Sequence, residues 1–190
     1  MILKSHKVAY INQGVSEDKV LAGCIKNDRQ SQELLYRHFA GKMYSICLSY
    51  AGERPMAQDM LQEAFIKVFK NIKYYKTEGS LEGWIRRIVT NTAIDHIRKK
   101  KRTGNYIEME PEDPRLQTSN PALRTMGFNE LLEHVERLPE GARIIFNLHA
   151  LDGYSHKEIA TQLNITEGTS KSQFNRARKL LMNFIGNANF

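Results

Sequence analysis

The chain has 190 residues, 41% hydrophobic and 26% charged, a balance that is typical of a globular protein and excludes a largely disordered one. Its formal net charge is +7, so the natural partner is a polyanion, either nucleic acid or an acidic membrane surface. Lys4, His6 and Lys7 interrupt the start, and no apolar run approaches the roughly 20 residues needed to span a bilayer. We therefore expect neither a secretory leader nor a membrane span, and a location in the cytoplasm.

Nearly every segment favours helix, because apolar residues recur at three- and four-residue spacing and no alternating strand pattern is sustained. The predicted fold class is all-α. Gly52 suits the end of the second helix, and Pro55 suits the first turn of the third. Four helices are expected in the N-terminal half of the chain: one opening at Ser16, one within 29–51, one near 54–73 and one from about Leu81 to Arg102. A loop, 73–80, separates the third helix from the fourth.

Two cysteines, Cys24 and Cys47, lie inside amphipathic helical patterns. We expect both to be small buried hydrophobes, with a redox pair as the minor alternative. Neither has a second Cys or His at ligand spacing, so the sequence predicts no metal and no cofactor.

The charge of the fourth helix is lopsided, with seven Lys or Arg residues between Trp84 and Arg102 against one acid, Asp95. Beyond it the composition turns acidic and proline-containing, which is typical of a linker. We accordingly divide the chain into a helical domain at 1–102, an acidic linker at 103–125 and a second helical domain at 126–190. Trp84 shares the apolar spacing of its helix, so we expect it in the core rather than as a stacking platform.

The second domain shows four short helical patterns, and the last two have the character of a helix-turn-helix. Ser155 and Glu158 have the spacing of a capping box, and Asn164 can adopt the left-handed conformation of the turn. The final helix carries Lys, Arg, Ser and Asn side chains and has no acid after Glu167. Such a face suits the major groove of DNA, while an ordinary solvated basic helix is the alternative.

These segments together resemble a known family. Residues 59–69 and 84–95 are similar to region 2 of extracytoplasmic-function sigma factors, the small promoter-recognition subunits of bacterial RNA polymerase. The run from Leu138 to Leu181 is similar to region 4 of the same family. The resemblance covers roughly residues 16–186. It implies two small helical domains, no catalytic activity, and a protein that binds core enzyme and directs transcription initiation at specific promoters.

The resemblance also implies roles for individual residues. The residues expected to contact core RNA polymerase are Asp59, Gln62, Glu63 and Phe65. Those expected to melt and read the minus-ten element of promoter DNA are Tyr75, Lys76, Ser80, Arg87, Asn91 and Arg98. Those expected to read the minus-thirty-five element are Lys171, Ser172, Asn175, Arg176 and Lys179. The linker would either follow the RNA exit path or act as a solvated spacer, and an anti-sigma factor is the further partner implied.

Departures from the family pattern stand in the last helix, where Ser170 replaces a usual aliphatic residue, Gln173 replaces a usual Arg and Asn175 often differs too, so the promoter sequence cannot be carried over. The main alternative is a stand-alone helix-turn-helix regulator, which would bind its DNA site without polymerase. An enzyme with a metal site begun by Asp59 and Glu63 is the other, weaker alternative, since no further ligands accompany them.

Overall fold

The computed structural model describes residues 10–11, 14–76, 79–102 and 128–186. The predicted linker, 103–125, lies outside the described residues. In the part of the chain that the structure describes, no helix is long and apolar enough to cross a membrane.

The described part of the N-terminal half contains four α-helices, whose ends are set by local capping. Ser16 accepts a hydrogen bond from the backbone N–H of Lys19 at 3.4 Å, and Asp28 accepts one from Ser31 at 2.8 Å, so each starts a helix. Gly52, in the left-handed conformation at φ 73°, ends the second. The helices are α1 (Glu17–Ile25), α2 (Arg29–Ala51), α3 (Arg54–Asn71), which continues as a 3-10 turn (Ile72–Tyr74), and α4 (Leu81–Arg102).

Within residues 128–186, which the structure describes, the C-terminal half contains four further α-helices, in agreement with the four helical patterns of the sequence. They are α5 (Phe128–Glu136), α6 (Glu140–Phe146), α7 (His156–Leu163) and α8 (Glu167–Gly186). A π-helical turn, Asn147–Leu151, extends α6. The all-α prediction is confirmed. The strands among the described residues are only two residues long, β1 (Tyr10–Ile11) and β2 (Val15–Ser16), paired antiparallel ahead of α1.

The main hydrophobic core lies between α1, α2, α3 and α4, and it extends into the other half of the chain. Ile144, Ile145 and Leu148 belong to the same buried cluster as α2 and are fully shielded from solvent. Ile159 and Leu163 of α7 also join it. A smaller cluster within the C-terminal half packs α5, α6 and α8 together around Val135, Leu138, Ala142, Phe146, Ala177 and Leu181. The two halves therefore share one apolar core, and the C-terminal half has a second, smaller core of its own.

Both cysteines are buried and unpaired, which confirms the interpretation of them as small core residues. Burial raises the pKa of the Cys24 thiol to about 11 and that of Cys47 to about 12. Both thiols are therefore protonated and unreactive at neutral pH.

Candidate nucleic-acid and polymerase-binding surfaces

Helices α7 and α8 form the helix-turn-helix that the sequence predicts. The capping box is complete, because Ser155 Oγ accepts from the N–H of Glu158 at 3.3 Å and Glu158 Oε2 accepts from the N–H of Ser155 at 2.8 Å. Asn164 adopts the left-handed conformation at φ 51°, ψ 58°. The N–H of Ile165 donates to the carbonyl of Ala160 at 3.1 Å, which fixes the turn between the two helices.

The outer face of α8 carries the residues expected to read the minus-thirty-five element. Lys171 and Asn175 are exposed, one helical turn apart, and Ser172, Arg176 and Lys179 are half-buried beside them. Lys171 forms an ion pair with Glu167 at 2.8 Å on the same helix. The five side chains thus lie along one side of α8, where a duplex could approach them.

Two of the departures from the family pattern, Ser170 and Gln173, lie on the opposite, inner side of α8. Ser170 is fully buried and contacts His156 Nδ1 at 2.9 Å, and Gln173 is 3% exposed. Both therefore shape how α8 packs on the rest of the C-terminal half, and they do not form part of its exposed face.

A second candidate surface is the loop before α4. The ring of Tyr75 lies 5.5 Å from that of Trp84, and its hydroxyl donates to the carbonyl of Gly79 at 2.8 Å. Ser80 Oγ accepts from the N–H of Gly83 at 3.1 Å, which anchors the start of α4. Lys76 is exposed. Trp84 is half-buried against the core, so it serves both the core and this aromatic pair.

Helix α4 continues this surface, but two of its expected DNA-contacting residues already have partners in α7 and the segment before it. Arg87 is exposed. Asn91 Oδ1 accepts from the hydroxyl of Tyr154 at 3.2 Å. The Nε of Arg98 donates to the carbonyl of Gln162 at 2.5 Å, and its Nη2 donates to the side-chain oxygen of the same residue at 2.6 Å.

The candidate polymerase-binding face lies on α3. Asp59 and Gln62 are exposed, and Glu63 accepts from Lys67 at 2.8 Å and contacts His96 Nε2 at 2.8 Å. The hydrogen bond from Lys67 is the main reason that the pKa of Glu63 is lowered. The contact with His96 joins α3 to α4, and the two partners together fix the carboxylate of Glu63 in place.

The position of Phe65 does not fit the direct polymerase contact expected of it, because its side chain is only 3% exposed. It packs edge-on against Tyr36 at 4.8 Å between ring centres, beneath the face formed by Asp59 and Gln62. Ile66, 54% exposed, is the apolar side chain that α3 presents to solvent. Its signal in the sequence was an aliphatic residue on the polar side of an amphipathic helix.

Among the described residues, no group of three or more His, Cys, Asp and Glu side chains is placed to hold a metal ion. In that part of the chain Asp59 and Glu63 thus gain no companion ligands, and the engagement of Glu63 with Lys67 and His96 accounts for its position.

Comparison with known proteins decides the family. The family model described as Sigma-70 region 2 matches residues 35–103, and Sigma-70 region 4 matches residues 128–181. The ECF RNA polymerase sigma factor SigE of Mycolicibacterium smegmatis is 31% identical over 161 residues, covering 82% of this chain and 62% of that protein. The chain belongs to the extracytoplasmic-function sigma factors of the sigma-70 family.

Other relatives align over nearly their whole length. SigW of Bacillus subtilis is 29% identical to this sigma factor over 168 residues, covering 82% of this chain and 89% of SigW. The sigma-E factor of Escherichia coli K12 is 28% identical over 180 residues, covering 87% and 93%. The solved structure of CnrH in complex with the cytosolic domain of CnrY matches with a TM-score of 0.46 and 16% identity, over 89% of this chain and 96% of that one.

The surfaces described above lie within the two matched regions of the sigma factor. Helices α3 and α4, with the loop between them, fall inside the region 2 match, and α7 with most of α8 falls inside the region 4 match.

Proposed function

We propose that this sigma factor binds core RNA polymerase and directs transcription initiation by reading the minus-ten element with its N-terminal half and the minus-thirty-five element with α8. The proposal rests on one observation above all: an exposed basic and amide face on α8 and a basic helix with an aromatic loop in the other half occur in one chain. The protein itself catalyses nothing in this scheme, and it acts beside the polymerase in the cytoplasm.

The polymerase contact is assigned to α3. Asp59, Gln62 and Glu63 would meet a basic partner surface, with Ile66 as the apolar contact and Phe65 supporting the face from below. An interface of this kind combines an apolar anchor with charged groups that steer association.

The minus-ten element is assigned to the loop before α4 and to α4 itself. Tyr75, held against Trp84, offers a ring on which an unstacked base can lie, and Lys76 and Ser80 stand beside it. Along α4, Asn91 would hydrogen-bond to a base, while Arg87 and Arg98 would contact phosphates.

The minus-thirty-five element is assigned to α8, inserted in the major groove. The amide of Asn175 has the donor and acceptor needed for a base edge, and Ser172 is short enough to assist. Lys171, Arg176 and Lys179 would hold phosphates and fix the register of the helix.

Neither DNA surface is expected to bind tightly alone. When polymerase holds both halves over one promoter, the second contact becomes intramolecular and its effective concentration rises to roughly millimolar. An anti-sigma factor would keep the free protein from competing for core enzyme, and the acidic linker would follow the RNA exit path.

The test measures binding of a fluorescent promoter duplex by anisotropy, with purified sigma factor alone and with core polymerase added. We expect tight, sequence-specific binding only when core enzyme is present. Specific binding of equal strength without core enzyme would favour the stand-alone regulator and contradict the proposal.

A further inference from the structure

The carboxylate of Asp152 joins the two halves of the sigma factor. It lies in the segment between the π-helical turn and α7, and only 5% of its side chain is exposed. It accepts hydrogen bonds from Tyr50 Oη at 2.5 Å, Arg86 Nε at 2.7 Å and Thr90 Oγ1 at 3.1 Å. All three donors belong to α2 and α4, so an acid of the C-terminal half fills a pocket in the N-terminal half.

The donors of this pocket suit an anion. A buried carboxylate is costly unless it is paired and hydrogen-bonded, and Asp152 has one cationic and two hydroxyl partners. Burial and the nearby carboxylate raise the pKa of Tyr50 well above its usual value, so its hydroxyl stays a donor. Arg86 also donates to the carbonyl of Leu151 at 3.1 Å, which holds the backbone beside Asp152.

Further contacts around the pocket also join the two halves, and together with Asp152 they form the junction between them. The side-chain amide of Asn147 donates to the carbonyl of Ser49 at 2.8 Å, near the end of α2. Lys100 of α4 pairs with Glu140 of α6 at 2.7 Å. The shared apolar cluster of α2 with α6 and the π-helical turn lies beneath them.

The junction covers part of the proposed minus-ten surface. Tyr154, two residues beyond Asp152, donates to Asn91, and Gln162 of α7 accepts both hydrogen bonds from Arg98. A cleft of about 480 Å³ remains between α4 and this segment, with Arg87 on one wall and Glu158 on the other. The C-terminal half thus engages the side-chain oxygen of Asn91 and the guanidinium donors of Arg98, which promoter DNA would need.

We propose that Asp152 is an intramolecular latch, which holds the C-terminal half closed over α4 by occupying the Tyr50–Arg86–Thr90 pocket in place of a DNA phosphate. In the closed sigma factor the side chains of Asn91 and Arg98 are hydrogen-bonded to the C-terminal half, and single-stranded DNA would have to replace those bonds. Once Asp152 leaves, its three donors suit a phosphodiester oxygen. This inference rests on the proposed function, because it concerns the regulation of the same minus-ten surface.

The first test compares Asp152→Asn with Glu133→Gln in the full chain. Both changes remove one negative charge from the C-terminal half, but Glu133 is exposed on α5. The readouts are the radius of gyration from X-ray scattering and the anisotropy of a fluorescent oligo(dT) of about 12 nucleotides. We expect Asp152→Asn to expand the protein and to tighten oligonucleotide binding about tenfold, while Glu133→Gln leaves both unchanged.

A charge swap distinguishes opening of the protein from misfolding of a variant. Asp152→Arg should open the protein, and adding Arg86→Asp should restore the ion pair with reversed polarity and return the radius of gyration to that of the wild type. Circular dichroism checks that each variant keeps its helical content.

The latch is refuted if Asp152→Asn and Glu133→Gln give the same radius and affinity, or if the folded Asp152→Arg variant stays compact. Failure of the proposed function is a different result: wild-type protein would support no transcription with core polymerase, whatever the scattering shows. Expansion of Asp152→Asn without any sigma activity would leave the latch as a structural fact and overturn only its role at promoters.

Discussion

Gly52 lies at the end of α2, where the backbone of one half meets a buried arginine of the other. Its φ of 73° lies in the left-handed region that favours glycine, and its N–H donates to the carbonyl of Leu48 at 2.8 Å. A Cβ at this position would come within 2.3 Å of Arg143 Nη2. Arg143 is 8% exposed, so its guanidinium has little room to move away.

We predict that Gly52→Ala lowers the free energy of unfolding by at least about 1 kcal/mol, because it combines a strained φ with a clash. Gly41→Ala is the matched control, since Gly41 lies within the same helix and a Cβ there meets no atom within 4 Å. It should raise the free energy of unfolding by about 0.5 to 1 kcal/mol. Urea titration followed by circular dichroism measures both, and equal effects of the two variants would contradict this account.

Some residues could be placed from sequence and others could not. Gly52, Asn164 and the Ser155–Glu158 pair were predicted correctly because capping depends on neighbours within a few positions of the chain. The pairing of Arg98 with Gln162 was not predicted. It depends on an element distant in sequence, and helical spacing alone does not tell which side of a helix that element covers.

At the scale of elements, variants in α3 can test polymerase binding separately from DNA binding. Two exposed acidic residues can be compared: Asp59 lies within α3, and Glu53 stands just before it at the N-cap position, where its side chain makes no capping hydrogen bond. Of these two, only Asp59 belongs to the face proposed to bind polymerase.

We predict that Asp59→Ala weakens association with core polymerase about tenfold, as expected for an interface residue worth about 1.4 kcal/mol. Glu53→Ala should leave association unchanged, and neither variant should alter promoter preference. Competition against a labelled reference sigma factor for limiting core enzyme measures this. A loss of the same size in both variants would point to net charge rather than to the proposed face.

Helix α8 permits a similar separation between base reading and phosphate contact. We predict that Asn175→Ala relaxes the preference for one base pair of the minus-thirty-five element, because an amide contact to a base edge discriminates by about 1 to 3 kcal/mol. Lys171→Ala should instead weaken binding to all sequences and reduce the salt dependence by roughly one phosphate.

Holoenzyme binding to single-base promoter variants at several salt concentrations distinguishes these two effects. If Asn175→Ala weakened binding to every variant equally, or if Lys171→Ala altered base preference, the roles assigned along α8 would be wrong.

The elements themselves were largely predictable. The bounds of α2 and α4 agree with the predicted ones because long periodic patterns and strong stop signals mark them. The π-helical turn after α6 and the two-residue strands were missed. The π-helical turn is a local widening of the helix inside a largely apolar run. The two strands are too short to show an alternating pattern.

At the scale of the whole molecule, the arrangement of the two halves was beyond sequence analysis. Asp152 precedes Gly153 and has the sequence character of an ordinary turn residue, yet it occupies a pocket formed by residues 62 to 102 positions earlier in the chain. Such a contact becomes visible only when α2 and α4 are folded together. The closed arrangement gives the free sigma factor a state distinct from the one that would engage a promoter.

The central claim, that this chain directs polymerase to promoters, is tested most directly by run-off transcription. Purified bacterial core polymerase and a pool of promoter fragments from the source organism would be incubated with and without the protein, and transcripts mapped to their start sites. We predict new start sites that depend on the protein and that share two sequence elements upstream. Absence of any such transcript with cognate core enzyme, together with specific protection of DNA by the protein alone, would contradict the account.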